Sequence, residues 1–122
     1  MARVLVIDDD EGHRTLACGI LEKGGHEVAQ AKDGAEGLRL FGQHRPHVVL
    51  TDIHMPELDG HEVISALRLV DKGVPIIAIS GGGPVAKDDL LLKALSLGAV
   101  EVITKPFEFR QLLGAVDRAI ER

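Results

Sequence analysis

At 122 residues the chain has the length of one compact domain, and its 45% hydrophobic and 27% charged residues match a globular protein rather than a disordered one. Its 14 Lys and Arg against 19 Asp and Glu leave a net charge of −5 with no basic run, and it has no Trp, no Tyr and only three Phe, so neither duplex binding nor base stacking on single strands is supported. One cysteine, Cys18, excludes an internal disulfide or a Cys-based zinc site, while no apolar run nears the ~20 residues of a membrane span and the N-terminus lacks signal-peptide character, so a cytoplasmic location is expected.

Taken in order, short branched apolar runs alternate with segments of helical period. Val4-Leu5-Val6-Ile7 reads as a first strand, followed by a helix with Leu16, Ile20 and Leu21 on one face and Gly24-Gly25 at its end. His26-Glu27-Val28-Ala29 is a second strand. Asp33 with Glu36 has capping-box spacing ahead of a helix bearing Ala35, Leu38 and Phe41. Val48-Val49-Leu50 is a third strand, and Asp59 with Glu62 repeats the capping-box spacing before Val63, Leu67 and Val70. Pro75-Ile76-Ile77-Ala78-Ile79 is a fourth strand, then come Leu90, Leu91, Ala94 and Leu95 at helical spacing, with Gly98 as a stop. Val100-Glu101-Val102-Ile103 is a fifth strand, and Leu112, Leu113, Val116 and Ile120 mark a last, charged helix.

Five βα units imply an α/β fold, a parallel sheet covered by helices on both faces, which suits strands that are apolar without alternation. No linker, repeat or low-complexity stretch interrupts residues 1–122, so a single domain with no attached output domain is expected, whether the chain stands alone or belongs to a longer protein.

In open α/β sheets ligands bind beyond the carboxyl ends of the strands. Asp8, Asp9 and Asp10 follow the first strand, Asp52 the third, Ser80 the fourth and Lys105 the fifth. Crowded carboxylates raise one another's pKa, and a divalent cation relieves the repulsion; oxygen donors without a His or Cys cluster suit Mg²⁺. Cation, ammonium and hydroxyl around a carboxylate can hold a phosphoryl group. Each feature has a plainer reading when taken singly: acids that cap a helix, a serine in a turn, an X-Pro loop. Their coincidence at one sheet edge carries the case.

The residues Val4-Leu5-Val6-Ile7-Asp8-Asp9-Asp10, Asp52-Ile53-His54-Met55-Pro56-Glu57-Leu58-Asp59-Gly60, Pro75-Ile76-Ile77-Ala78-Ile79-Ser80 and Lys105-Pro106-Phe107 resemble, over the whole chain, the receiver domain of bacterial two-component response regulators. The resemblance implies a flavodoxin-like three-layer (βα)5 sandwich with sheet order 2-1-3-4-5. It implies Asp52 as phosphoacceptor, Asp8 and Asp9 as the acidic pair for Mg²⁺, and the backbone carbonyl of His54 as a further metal ligand. It implies Ser80 as a hydroxyl that turns toward the phosphoryl group, Lys105 as its ammonium partner, and a cis Lys105-Pro106 peptide. The implied function is a switch phosphorylated by a sensor histidine kinase or phosphotransfer protein. Such a switch resets itself, turns over no free substrate, and signals to a protein target through helix 4, strand 5 and helix 5 as a monomer or weak homodimer, with no nucleic acid or membrane bound directly.

The chain departs from that family at two places. Val102 stands where an aromatic switch residue is usual, so ring burial is not its readout, and signalling is expected to fall on the loop 80–83 and helix 4. Gly81-Gly82-Gly83 follows Ser80 where alanine is usual, which predicts a loop ordered by phosphate; it lacks the Lys and Thr of a P-loop. Two rival functions are a degenerate, phosphate-independent binding module and a haloacid-dehalogenase-like phosphatase using Asp8-Asp9-Asp10. The first is opposed by the complete set Asp8, Asp9, Asp52, Ser80 and Lys105, and the second leaves Asp52 unexplained. Histidines 13, 26, 44, 47, 54 and 61 show no metal spacing, Cys18 reads as a buried small hydrophobe, and Phe107 and Phe109 are expected to pack helix 5.

Overall fold

The computed structural model describes residues 2–81 and 87–121. Strands and helices alternate as β1 (Arg3–Ile7), α1 (Glu11–Lys23), β2 (Glu27–Ala31), α2 (Gly34–His44), β3 (Val48–Asp52), α3 (Gly60–Val70), β4 (Ile76–Ser80), α4 (Lys87–Leu97), β5 (Glu101–Thr104) and α5 (Phe109–Ile120). The five strands form one parallel sheet in the order β2-β1-β3-β4-β5, the flavodoxin-like arrangement that the resemblance implied. Ile7 lies opposite Thr51, Asp52 opposite Ile79 and Ser80 opposite Thr104, so the carboxyl ends of four strands meet along one edge.

The period of two along each strand divides the core into two layers. Val4, Val6, Leu50, Ile77, Ile79 and Ile103 face α1 and α5, whereas Leu5, Ile7, Val49, Ile76 and Ala78 face α2, α3 and α4. β3 and β4 are buried along their whole length, which is why their sequences do not alternate.

Several residues expected in the core lie outside it. Leu16 is 52% exposed, because α1 buries the stripe Ala17, Cys18, Ile20 and Leu21 and residue 16 sits ~100° round the helix from residue 17. Ala35 is exposed, and α2 instead turns Gly34, Gly37 and Phe41 inward. Val70, 74% exposed, shares the face of Val63 but is the last residue of α3, with no following turn to cover it; Ile120 is the equivalent case in α5. Leu95 and Phe109 are exposed, while Phe107 is buried as expected. The side chains of Leu90 and Leu91 lie outside the described residues, as do Gly82 and Gly83.

The helix ends follow their sequence signals with one departure. Asp59 and Glu62 complete a capping box over α3, with the Glu62 N–H donating to Asp59 Oδ1 at 2.9 Å and the Asp59 N–H donating to Glu62 Oε1 at 3.2 Å. At α2 Asp33 accepts from the Glu36 N–H at 2.7 Å, but the Glu36 carboxylate turns to the Lys32 N–H instead of the cap. Below the site, Arg68 ties the α3–β4 and α4–β5 loops together by donating to the carbonyls of Asp71, Val74 and Gly98 at 3.2, 2.6 and 2.7 Å. Partial burial lowers the pKa of its guanidinium, with Asp71 opposing. At the foot of β1, the Ala2 and Arg3 N–H groups donate to Nδ1 of His26 and His47, which fixes both rings as Nε2–H tautomers.

Candidate functional site

Asp8 follows β1 directly, and its N–H continues the sheet by donating to Ala31 O at 3.1 Å. Its carboxylate is nearly enclosed: Oδ1 accepts from the Asp10 N–H at 2.9 Å and Oδ2 lies 3.1 Å from Lys105 Nζ. The Arg14 guanidinium donates to the Asp8 carbonyl at 2.8 Å and pins the turn from α1. Asp9 is exposed. Asp10 is the cap of α1, accepting from the His13 N–H at 2.9 Å, a bond that lowers its pKa. The helix-capping reading thus holds for Asp10, whose carboxylate takes the His13 N–H of α1.

Asp52 ends β3 and is buried. Its Oδ1 accepts from the His54 N–H at 3.3 Å and its Oδ2 from Lys105 Nζ at 3.4 Å. Burial and, second, the neighbouring Asp8 carboxylate push its pKa up to about 6, against the pull of Lys105 and the His54 N–H. Gly60, the first residue of α3, is why the helix can approach: a Cβ there would lie 2.6 Å from Ile53 Cα and against the Asp52 carbonyl.

Lys105 is placed by the sheet, since its N–H donates to Ser80 O at 2.8 Å one step beyond β5, and the peptide to Pro106 is cis, as implied. Its side chain is only 9% exposed and lies between the two buried carboxylates. Ser80 is buried at the end of β4, one register step beyond the residue paired with Asp52. The His54 ring is exposed beside Gly81, and Val102 is half-buried, paired with Ala78 and packed on the α2–α4 side of the core.

Asp8, Asp9 and Asp52 each offer an oxygen within 4.8 Å of the others. Asp9, Asp52 and Lys105 border an open cavity of about 660 Å³ that His13 and His54 also line. Two carboxylates held in a buried site, one with a raised pKa, and a third at the rim form an all-oxygen donor set that fits a hard divalent cation. His13 is the residue that the sequence reading passed over: its Nδ1 stands 3.2 Å from Lys105 Nζ. Its position three residues after the α1 cap, which turns the first helical turn toward the strand ends, was the available signal.

Comparison with known proteins agrees with this geometry. A family model described as the response regulator receiver domain matches residues 4–117. The transcriptional regulatory protein PrrA of Mycobacterium tuberculosis is 41% identical over 124 residues; the match takes in 98% of this chain but half of PrrA. The chemotaxis protein CheY of Bacillus subtilis is 33% identical, with 97% of both chains covered. Among solved structures, the receiver domain of NtrX from Brucella abortus superposes with a TM-score of 0.91 at 32% identity, covering 97% of this chain and 98% of that one. By fold, by this edge of carboxylates and by these matches, the chain belongs to the receiver domains of two-component response regulators.

Proposed function

We propose that this receiver domain is a phosphoacceptor switch in which Asp52 takes a phosphoryl group from a sensor histidine kinase or a phosphotransfer protein and later releases it to water. The observation that carries the reading is the Lys105 ammonium held between two buried carboxylates, Asp8 and Asp52, beside an exposed third, Asp9. Asp8, Asp9 and Asp52, with the His54 carbonyl, are the residues that would hold Mg²⁺. When bound, the cation neutralises charge on the carboxylates and on the phosphoryl oxygens.

The chain's own groups do the rest. An Asp52 carboxylate oxygen attacks phosphorus, a new O–P bond forms, and the bond to the donor's imidazole nitrogen breaks, the imidazole leaving with the electron pair. Lys105 supplies a positive charge to a phosphoryl oxygen, and the Ser80 hydroxyl supplies a donor from β4. Water then attacks the acyl phosphate, restoring the Asp52 carboxylate and releasing phosphate. The domain modifies and resets itself and turns over no free substrate. The added charge shifts a two-state equilibrium, read by a protein target on the surface of α4, β5 and α5. The assignment of Asp10 to the α1 cap speaks against a phosphatase built on Asp8-Asp9-Asp10. A cytoplasmic location and a monomer or weak homodimer fit this role, and among the described residues no helix is long and apolar enough to cross a membrane.

Incubation with Mg²⁺ and phosphoramidate or acetyl phosphate, followed by intact-mass measurement, tests the reading. One added phosphoryl group in the wild type and none in Asp52→Asn is the expected result; an unmodified wild type, or equal uptake by the variant, overturns it. For the readout, Val102→Tyr restores a ring at a half-buried position. Altered target binding or phosphate dependence in that variant would show that the position bears on the readout; if both are unchanged the position does not matter, and the loop reading gains no support from it.

A further inference from the structure

The Lys105 ammonium has three partners, and one of them is not a carboxylate. Nζ lies 3.1 Å from Asp8 Oδ2, 3.4 Å from Asp52 Oδ2 and 3.2 Å from His13 Nδ1. An ammonium has only hydrogens to offer, so the contact is a hydrogen bond only when Nδ1 presents its lone pair, with the proton on Nε2. The other neighbour of Nδ1 is Asp10 Oδ1 at 3.5 Å, and that oxygen already accepts from the His13 N–H at 2.9 Å. A proton on Nδ1 would bring a second donor against the ammonium to gain a longer contact with an oxygen already engaged. The geometry therefore selects an imidazole acceptor.

We propose that His13 is a positioning residue for Lys105, the neutral partner that keeps the ammonium at the cavity wall while the two carboxylates change partners. The inference rests on the phosphoacceptor reading above. Asp8 and Asp52 each give Lys105 one oxygen, so their hold on the ammonium changes when the same carboxylates take a cation or a phosphoryl group. His13 is not a metal ligand in that reading and is displaced by neither event. It reaches Lys105 from α1, 92 residues away in sequence, and so couples the start of α1 to the loop after β5. Its side chain is 44% exposed, so its loss opens no hole in the core.

Two substitutions separate positioning from packing. His13→Leu keeps a branched side chain but has no acceptor, and His13→Asn carries a carbonyl oxygen at the δ position. In the wild type background His13→Leu is expected to slow phosphorylation by phosphoramidate about two- to tenfold, with His13→Asn close to wild type. In a Lys105→Ala background, His13→Leu is expected to add nothing further, which a purely structural role would not produce. Without metal or phosphate donor, NMR of protein carrying ¹³C-lysine is expected to show the Lys105 ε-methylene resonance displaced in His13→Leu and restored in His13→Asn. An unmoved resonance, or equal and additive rate losses in both backgrounds, overturns the proposal. A wild type that takes up no phosphoryl group while the resonance behaves as expected leaves the contact standing and removes the phosphoacceptor reading and the catalytic purpose with it.

Discussion

Asp52 is stable as an acid and useful as a base, and the difference has a sign that can be measured. Burial and Asp8 raise its pKa from 3.8 to about 6, so the folded chain holds a proton that the unfolded chain has already lost between these values. A raised folded pKa means that this group's contribution is fully present below about pH 4 and is lost as pH rises through about 6. Removing the charge should therefore stabilise the metal-free protein: Asp52→Asn is expected to gain about 1–3 kcal/mol at pH 8 in urea melts, and the gain should shrink toward zero below pH 4. An equal gain at both pH values would show that the charge is not its cause. Cys18 is the opposite case, a thiol with no task. Burial, with Glu22 adding to it, pushes its pKa up to about 11, which matches the small-hydrophobe reading and makes it a poor nucleophile.

Between elements, the decisive contact is α3 against the end of β3. Gly60 begins α3 where a methyl group would strike the backbone of Asp52 and Ile53, and backbone at the end of a central strand has nowhere to move. Gly60→Ala is expected to destabilise the fold by about 1–3 kcal/mol and to slow phosphorylation by displacing Asp52. Gly19, in the middle of α1, is exposed with no atom within 4 Å of a would-be Cβ. Gly19→Ala should reverse the sign, adding about 0.5–1 kcal/mol through helix propensity alone. Chemical denaturation of both variants, read side by side, checks the pair; a neutral Gly60→Ala would mean that α3 can retreat from the site at no cost.

Over the whole molecule, the site is a concentration of like charge that the fold tolerates. A cation that binds the folded but not the unfolded chain stabilises by mass action, about 2.7 kcal/mol at 100 times its dissociation constant. Saturating Mg²⁺ is accordingly expected to raise the melting temperature of the wild type by several degrees, and EDTA to reverse it. Asp9→Asn, at the exposed carboxylate, should blunt the rise without much change in the metal-free melt. A melting temperature that ignores Mg²⁺ would remove the metal from the mechanism and leave the Asp8–Lys105–Asp52 cluster as a structural ion pair.

Local chemistry makes the architecture legible in the sequence. Branched runs of four or five residues, period-3.6 segments and the Asp59–Glu62 box are properties of neighbouring residues, and they were enough to order ten elements and to bring Asp8, Asp52, Ser80 and Lys105 to one edge. What neighbours do not determine is which of several apolar residues on a helix meets the sheet. Leu16 and Val70 lost their places to Ala17 and to a helix end, because burial depends on the docking of the helix and on where it stops. The division of labour among Asp8, Asp9 and Asp10, the Arg68 tie across two loops and the His13–Lys105 bond were likewise decided only in three dimensions. The last two depend on the register of a sheet whose adjacent strands are joined by crossovers, so residues 30 and 92 positions apart in the chain are set 2.7 and 3.2 Å from one another by packing and not by any pattern they share.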